Sequence, residues 1–165
     1  MITQDQVKDL FDYRDGELYW KISVAHRKAK IGDKAGGVNS KGYLLTRING
    51  VKYYNHRIIF LWHYGWVPEK IDHKDTNPSN NKIDNLRPAT SFENGWNMRI
   101  SKKNTSSVKG VGWDKRVKKW HVRIRFNHKL NSFGLYHDIE VAKFIAETMR
   151  YKYHGKFANH GEKTN

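Results

Sequence analysis

The sequence predicts an α+β protein in two parts, because strand-like and helix-like hydrophobic spacings alternate along it and a polar segment divides it. Every second residue is apolar in 120–126, which indicates a strand, while apolar residues recur every four positions in 141–153, which indicates a helix. Residues 99–107 are polar and basic without apolar periodicity, as is typical of a linker. We therefore predict one domain over 1–98 and a second over 108–165.

The composition points to a polyanionic partner. The 165 residues include 31 Lys and Arg against 16 Asp and Glu, which gives a formal net charge of +15. The longest apolar run, residues 58–62, is too short to span a bilayer, and the opening segment lacks the pattern of a signal peptide. Cysteine is absent, which excludes disulfides and thiolate zinc sites. We expect an intracellular protein that binds nucleic acid and contains no membrane segment.

The first elements of the N-terminal part have recognisable start signals. Thr3 and Gln6 have the spacing of a capping box and predict a short helix. Residues 17–22 read as a strand, and residues 23–37, basic with several glycines, read as a loop. The apolar stripe of the predicted helix consists of Val7, Leu10 and Phe11.

A hairpin and a helix follow. Two β-rich runs flank Asn49-Gly50, a pair that favours the two-residue type I′ turn. The apolar segment 56–64 predicts a largely buried helix that ends at Gly65.

The C-terminal part reads as three strands followed by a helix. In the middle strand the apolar side chains alternate with Arg123 and Arg125, which are expected on the opposite face. Asp138 is placed to cap the helix, which is expected to pack on the apolar face of the sheet. Its predicted apolar stripe is Val141, Ile145, Met149 and Tyr153, with Ala142 and Ala146 beside it.

The segment 71–94 is rich in asparagine and aspartate, which suits a surface loop but also suits a chemical site. Asp72 and His73 follow a partly apolar segment, as residues at the end of a strand would. Asn85 lies twelve positions after His73, just before Leu86 in a second strand-like segment. Asn94 falls in the first turn of a helix predicted over 91–98 by a second capping box, Thr90 with Glu93. Strand, loop, strand and helix would bring these four polar side chains within reach of one another.

Residues 43–98 resemble the HNH nuclease motif, the ββα-metal finger of phage and intron homing endonucleases. The shared pattern is a hydrophobic residue with Asp-His, an asparagine-rich loop, Asn-Leu-Arg, and Glu-Asn at a helix start. The resemblance implies that Asp72 and Asn94 hold a divalent metal ion and that His73 is the general base. It further implies that Asn85 braces the loop and orients His73.

The resemblance includes one departure. Many members carry histidine where this chain has Asn94, although asparagine occurs in the phage intron-type branch. A carboxylate with an amide oxygen suits Mg²⁺ or Mn²⁺ better than zinc. The implied fold is a ββα-metal finger with an N-terminal β-hairpin region, with no small-molecule cofactor.

Residues 106–161 resemble the plant ethylene-response-factor (apetala-type) DNA-binding domain, which is also found appended to phage HNH endonucleases. The matching pieces are VKGVGWD, KKWHVRIRF, NSFGLYHDIEVAKF and YHGKFAN, with Val-Ala-Lys in place of the usual double alanine. In that family the exposed face of a three-stranded antiparallel sheet, packed on one helix, enters the major groove. The DNA-facing residues implied here are Lys109, Trp113, Arg116, Arg123, Arg125 and Ser132. A merely solvated basic face is the alternative.

Together these observations predict a metal-dependent DNA endonuclease of homing type, targeted to double-stranded DNA by its C-terminal module. It is expected to be a monomer or weak dimer and, if phage-encoded, to act in the host cytoplasm. Two alternatives remain open. One is a sequence-specific DNA-binding regulator with an inactive nuclease finger, and the other is a nonspecific defence nuclease.

Overall fold

The computed structural model describes residues 2–24 and 29–161, and these form helices and small sheets, as the α+β prediction requires. The chain divides into two compact units, Met1–Thr90 and Ser91–Asn165. Residues 25–28 of the predicted loop lie outside the described residues. Within the described part no helix is both long enough and apolar enough to cross a membrane.

The first unit contains three small antiparallel sheets and two helices. The sheets have the strand orders β1-β2, β3-β4-β5 and β6-β7. Helix α2 lies at the centre of the core, where Ile58, Ile59 and Phe60 are buried. In chain order the elements are α1 (Gln4–Leu10), β1 (Phe11–Arg14), β2 (Glu17–Trp20), β3 (Gly37–Val38), β4 (Leu44–Ile48), β5 (Val51–Tyr54), α2 (Asn55–Tyr64), β6 (Lys70–His73) and β7 (Leu86–Ala89).

Local start and stop signals in this unit are confirmed. Thr3 and Gln6 form both hydrogen bonds of a capping box. The hairpin β4-β5 turns at Asn49-Gly50, with φ of 47° and 83° as a type I′ turn requires. Helix α2 ends at Gly65, whose φ of 76° allows its N–H to reach the carbonyl of Leu61.

The strand β1 was not predicted. Phe11 was assigned to the stripe of α1, but it opens β1 and pairs with Trp20 in an antiparallel hairpin. The turn of this hairpin is Asp15-Gly16, where both residues have positive φ. Phe11 is buried in either arrangement, so hydrophobicity alone could not separate them.

The second unit is a three-stranded antiparallel sheet covered by one long helix, as predicted. Its elements are α3 (Ser91–Trp96), β8 (Val111–Asp114), β9 (Lys119–Phe126), β10 (Lys129–Tyr136) and α4 (Ile139–His154), with strand order β10-β9-β8. Asp138 caps α4 by accepting a hydrogen bond from the N–H of Glu140 (2.7 Å). Val122 and Ile124 are buried, whereas Arg123 and Arg125 are exposed, so the predicted alternation of β9 is confirmed.

The predicted apolar face of α4 is confirmed for Ala142 and Ala146, which are buried, and for Ile145, which packs against the core, but it is wrong for Val141. Val141 is 45% exposed, and the side chains that are buried are Ala142, Ala146, Arg150 and His154. Alanines let a helix approach a sheet closely, and the two polar residues are accommodated because they bond backbone carbonyls. Arg150 Nη1 donates to the carbonyl of Lys109, and His154 Nε2 donates to that of Arg125.

The boundary between the two compact units falls after Thr90, eight residues before the predicted end of the first domain at 98. Helix α3 groups with the second unit, and it ends at Trp96, two residues earlier than predicted. The end of the predicted linker is also attached to that unit. Ser106 is buried, and its hydroxyl donates to the carbonyl of Val111 (2.7 Å). The functional domain boundaries remain predictions.

Candidate functional site

Asp72 and His73 lie at the end of β6, as the apolar approach to them predicted. Their side chains are almost completely buried, 3% and 6% exposed. In the antiparallel pair β6-β7, Asp72 faces Arg87 and His73 faces Leu86. The strand pairing therefore fixes the backbone on which both proposed catalytic side chains stand.

Arg87 holds the carboxylate of Asp72. Its Nε and Nη2 both lie 2.7 Å from Asp72 Oδ2, and both side chains are largely shielded from solvent. The sequence alone did not indicate this cross-strand pair. Two charge-assisted hydrogen bonds orient Asp72 strongly.

The ring of His73 is held by Asn81. His73 Nε2 and Asn81 Oδ1 are 3.0 Å apart, and Asn81 is 2% exposed. With the amide oxygen as acceptor, Nε2 carries the proton and the lone pair of the imidazole lies on Nδ1. Asn81 was predicted to be a turn former, and nothing in its local sequence distinguished it from its asparagine neighbours. Its burial against a histidine became visible only in the fold.

The loop between β6 and β7 closes around the carboxylate of Asp75, which sequence analysis did not single out. Asp75 accepts from the backbone N–H of Asn77 (2.8 Å) and from the side-chain amides of Asn80 (2.7 Å) and Asn85 (2.9 Å). Burial opposes the ionisation of Asp75, but these hydrogen bonds outweigh it and lower its pKa. Most of the asparagines in the segment therefore serve one anionic centre.

Asn85 braces the loop, as the resemblance implied. Its Oδ1 accepts from the N–H of Asp75 (3.1 Å), its Nδ2 donates to the carbonyl of Asn80 (2.8 Å), and its own carbonyl accepts from the N–H of Lys74 (2.9 Å). Asn81 makes a hydrogen bond to the His73 ring. The role of Asn85 in orienting His73 stays a prediction.

The hairpin β1-β2 supports the same loop from outside. Tyr13 Oη accepts from the N–H of Ile83 (3.0 Å), and Asp15 pairs with Lys82 at 2.9 Å. A Cβ on Gly16 would lie 2.7 Å from the backbone nitrogen of Lys82, so only glycine permits this approach. The turn of the hairpin therefore packs directly against the backbone next to Asn81.

His56 packs edge-to-face on His73, with ring centroids 5.1 Å apart. Tyr43 contacts both rings, at 5.6 Å from His56 and 6.0 Å from His73. Burial, with a smaller contribution from neighbouring positive charge, lowers the pKa of His56 to about 3. His56 is therefore a neutral aromatic wall beside His73 at ordinary pH.

Asn94 lies in α3 and is half-buried. The remainder of this six-residue helix is well anchored within the second unit. The ring of Trp96 stacks in parallel on His154, with centroids 4.5 Å apart and planes 2° apart. Lys109 Nζ donates to the carbonyls of Trp96 (2.7 Å) and Met98 (2.5 Å), which caps the C-terminal end of the helix.

The predicted DNA-facing residues of the second unit fall into two groups. Trp113, Arg116, Arg123, Arg125 and Ser132 are all exposed. His121 joins them, because its Nε2 lies 2.7 Å from Ser132 Oγ across the strands. Lys109 differs, since its ammonium group serves α3 and burial, followed by Arg150, lowers its pKa to about 8. The contact of Lys109 with DNA stays a prediction.

The described residues 2–24 and 29–161 contain no group of three or more His, Asp or Glu side chains arranged to hold a metal ion. The proposed ligands, a carboxylate and an amide, are a smaller set. Mg²⁺ requires only one or two carboxylates in proteins because it retains several of its waters. The oxygen donors of Asp72 and Asn94 therefore fit a hard divalent ion by their chemistry.

Comparison with known proteins assigns part of this chain. Residues 53–96 match a family model described as HNH endonuclease, a range that runs from the end of β5 to the end of α3. Over 88 residues the chain is 42% identical to Protein 3.8 of Escherichia phage T7, which covers 53% of this chain and 72% of that protein. No solved structure matches the chain. The chain thus belongs to the family of phage T7 Protein 3.8 and carries an HNH endonuclease domain at residues 53–96.

Proposed function

We propose that this protein is a metal-dependent DNA endonuclease whose ββα-metal finger cuts phosphodiester bonds. The observation that carries the proposal is the pair Asp72-His73 at the end of β6, inside the HNH match, with both side chains buried and held by specific bonds. A structural loop needs no buried imidazole oriented by a buried amide.

His73 is proposed as the general base. Asn81 Oδ1 accepts a hydrogen bond from the Nε2–H of His73, so Nδ1 is the nitrogen that can take a proton from the attacking water. The rings of His56 and Tyr43 restrict the movement of the imidazole. The bonds of Asp75 and Asn85 fix the loop that carries Asn81. A base held in this way is ready before substrate arrives.

Asp72 and Asn94 are the proposed metal ligands, with Mg²⁺ or Mn²⁺ as the ion. When bound, the ion would stabilise negative charge on the leaving oxygen of the phosphodiester. Arg87 directs the Asp72 carboxylate by bonding one of its oxygens. Replacement of Arg87 would therefore disturb the metal ligand without touching the base.

The second unit is proposed to bind double-stranded DNA through the exposed face of its sheet, as the apetala-type resemblance implies. Arg123 and Arg125 project from the same face of the middle strand, and Ser132 pairs with Arg123 on that face. Trp113, also predicted to face DNA, pairs with Trp120 and therefore belongs to the opposite face of the sheet, with its ring exposed at the edge. A two- or three-stranded ribbon fits the major groove, and arginine reads guanine there. A homing-type role as a monomer or weak dimer is part of this proposal, and the similarity to a protein of a phage supports a phage-infected cell as its setting.

Supercoiled plasmid provides the test. We expect relaxed or linear product with Mg²⁺ or Mn²⁺ and none after exhaustive chelation. Arg87→Ala should raise the metal concentration that gives half-maximal rate, while Arg14→Ala, an exposed arginine of the same unit, should leave it unchanged. Cleavage that survives chelation, or no cleavage with any divalent ion, would refute the nuclease proposal. DNA binding without cleavage would favour the regulator.

A further inference from the structure

A cavity of about 350 Å³ lies within the second unit, and none of the proposed catalytic or metal-binding residues lines it. It forms where β9 runs beyond β8, since the pairing of these strands ends at Val111 with Val122. Helix α3 covers the gap with one face. The apolar lining is provided by Phe92, Trp96, Ile124 and Leu130.

The charged lining of this cavity is entirely basic. Four of its residues are Lys or Arg and none is Asp or Glu: Lys109, Arg123, Arg125 and Arg150. Cationic side chains gathered around an apolar space, without a carboxylate to neutralise them, favour an anionic ligand.

Two buried polar side chains at the cavity have an atom without a hydrogen-bond partner among the described residues. Arg150 is 1% exposed, and its Nη2 has no partner, although its Nη1 and Nε bond Lys109 and His160. His154 is 7% exposed, and its Nδ1 has none. An unsatisfied buried group of this kind costs roughly 1–3 kcal/mol, which a ligand that bonds it recovers.

The size and walls of the cavity indicate more than an inorganic anion. Small-molecule sites occupy roughly 300–1,000 Å³, so the volume suits a compact organic ligand. Two aromatic rings stand in the wall: Phe92, which is 45% exposed, and Trp96. Aromatic side chains beside arginines are the combination on which single-stranded nucleic acids stack.

We propose that this cavity binds one unpaired nucleotide of a DNA strand, with the base against Phe92 and Trp96 and the phosphate toward the arginines. A strand is the favoured source because Arg123 and Arg125 also belong to the exposed face proposed to meet DNA. The choice of a strand rests on the DNA-binding face proposed above, whereas the binding itself needs neither metal nor cleavage and is independent of the proposed nuclease activity.

The test uses the full-length protein in the presence of chelator, so that no cleavage interferes. The probe is a single-stranded oligonucleotide of about eight nucleotides, within the usual site size, carrying one 2-aminopurine. We expect its fluorescence to change on binding far more than that of the same base in a fully paired duplex. Phe92→Ala should weaken binding by about 5- to 150-fold, the loss of one stacked base.

Matched controls separate the cavity from the general charge of the protein. Phe144, 68% exposed on α4 and outside the cavity, should tolerate Phe144→Ala without loss of binding. Leu130→Glu places a negative charge at the cavity and should weaken binding. Val141→Glu on α4, also exposed and outside the cavity, should weaken it much less. Melting temperatures verify that all four variants are folded.

Several results would overturn the assignment. Equal losses in each cavity variant and its control would reduce the effect to nonspecific charge. Displacement of the probe by inorganic phosphate at equal concentration would show a simple anion site. A free deoxynucleoside 5′-monophosphate that binds as tightly as the oligonucleotide would identify a free nucleotide, not a strand, as the ligand.

Discussion

The loop between β6 and β7 in the first unit and the polar side chains of α4 in the second unit differ in how far along the chain their hydrogen-bond partners lie. In the loop of the first unit, Asp75 bonds Asn77, Asn80 and Asn85, all within ten positions of it. In the second unit, Arg150 and His154 bond carbonyls that lie 41 and 29 positions away. The hydrogen bonds around Asp75 come from the loop's own sequence, whereas the polar groups under α4 depend on distant segments brought together by packing. The proposed catalytic site is built on the first arrangement.

The largest expected effect is the loss of the base from the loop. His73→Ala should lower the single-turnover cleavage rate by roughly 10²–10⁴-fold, the range for a positioned base. Duplex affinity in chelator should remain within about twofold, since binding rests on many other cations. His137→Ala, an exposed histidine of the second unit, is the control. A parallel loss of affinity in the His73 variant would show that the imidazole is structural.

Asp75→Ala tests whether the loop depends on its anionic centre. Three donors lose their acceptor, so we expect the free energy of unfolding to fall by about 3 kcal/mol and cleavage to fall with it. Asp9→Ala, an exposed aspartate of α1, should change neither. Denaturant unfolding measures the difference. An Asp75 variant as stable as the control would mean that the asparagines hold the loop without a common acceptor.

Arg123→Ala and Arg125→Ala address the second unit. Each should cost about 1–3 kcal/mol of affinity for a preferred duplex selected from a random library, because a base contact is lost. Affinity for unselected duplex should fall much less, because it rests on phosphate contacts. Lys143→Ala, on the helix behind the sheet, is the charge control. Equal losses of affinity for both duplexes would show that these arginines make only electrostatic contacts.

The effect that is smallest per step is a pH dependence of stability from His56, which accumulates gradually over several pH units. Unfolded, this histidine takes a proton below about pH 6.5, whereas burial keeps it neutral in the fold down to about pH 3. Between these values the unfolded state binds more protons. The free energy of unfolding should therefore decrease by up to about 1.4 kcal/mol for each unit by which the pH is lowered.

His56→Phe retains an aromatic ring and should flatten this slope. His137→Phe, at an exposed position, should leave it as in the wild type. Urea unfolding from pH 7 to pH 4 measures the three slopes. An unchanged slope in His56→Phe would assign the pH dependence to other groups.

The sequence predicted the elements whose signals are local. Thr3, Asp138 and the Asn49-Gly50 turn act on backbone groups a few positions away, so their structural roles could be read directly. The end of β6 at Asp72-His73 followed from an apolar run that stops there. The alternation of β9 separated Arg123 from Val122 because the period of a strand is independent of its surroundings.

The tertiary structure decided everything that depends on contacts between distant segments. It selected Asn81 as the partner of His73, since only the folded loop buries that asparagine against the ring. It added Arg150 and His154 to the buried face of α4, because the carbonyls of Lys109 and Arg125 are available to them only after the sheet has formed. Hydrophobic periodicity ranks faces by side-chain type and contains no information about such acceptors, so a polar residue with a distant partner is invisible to it.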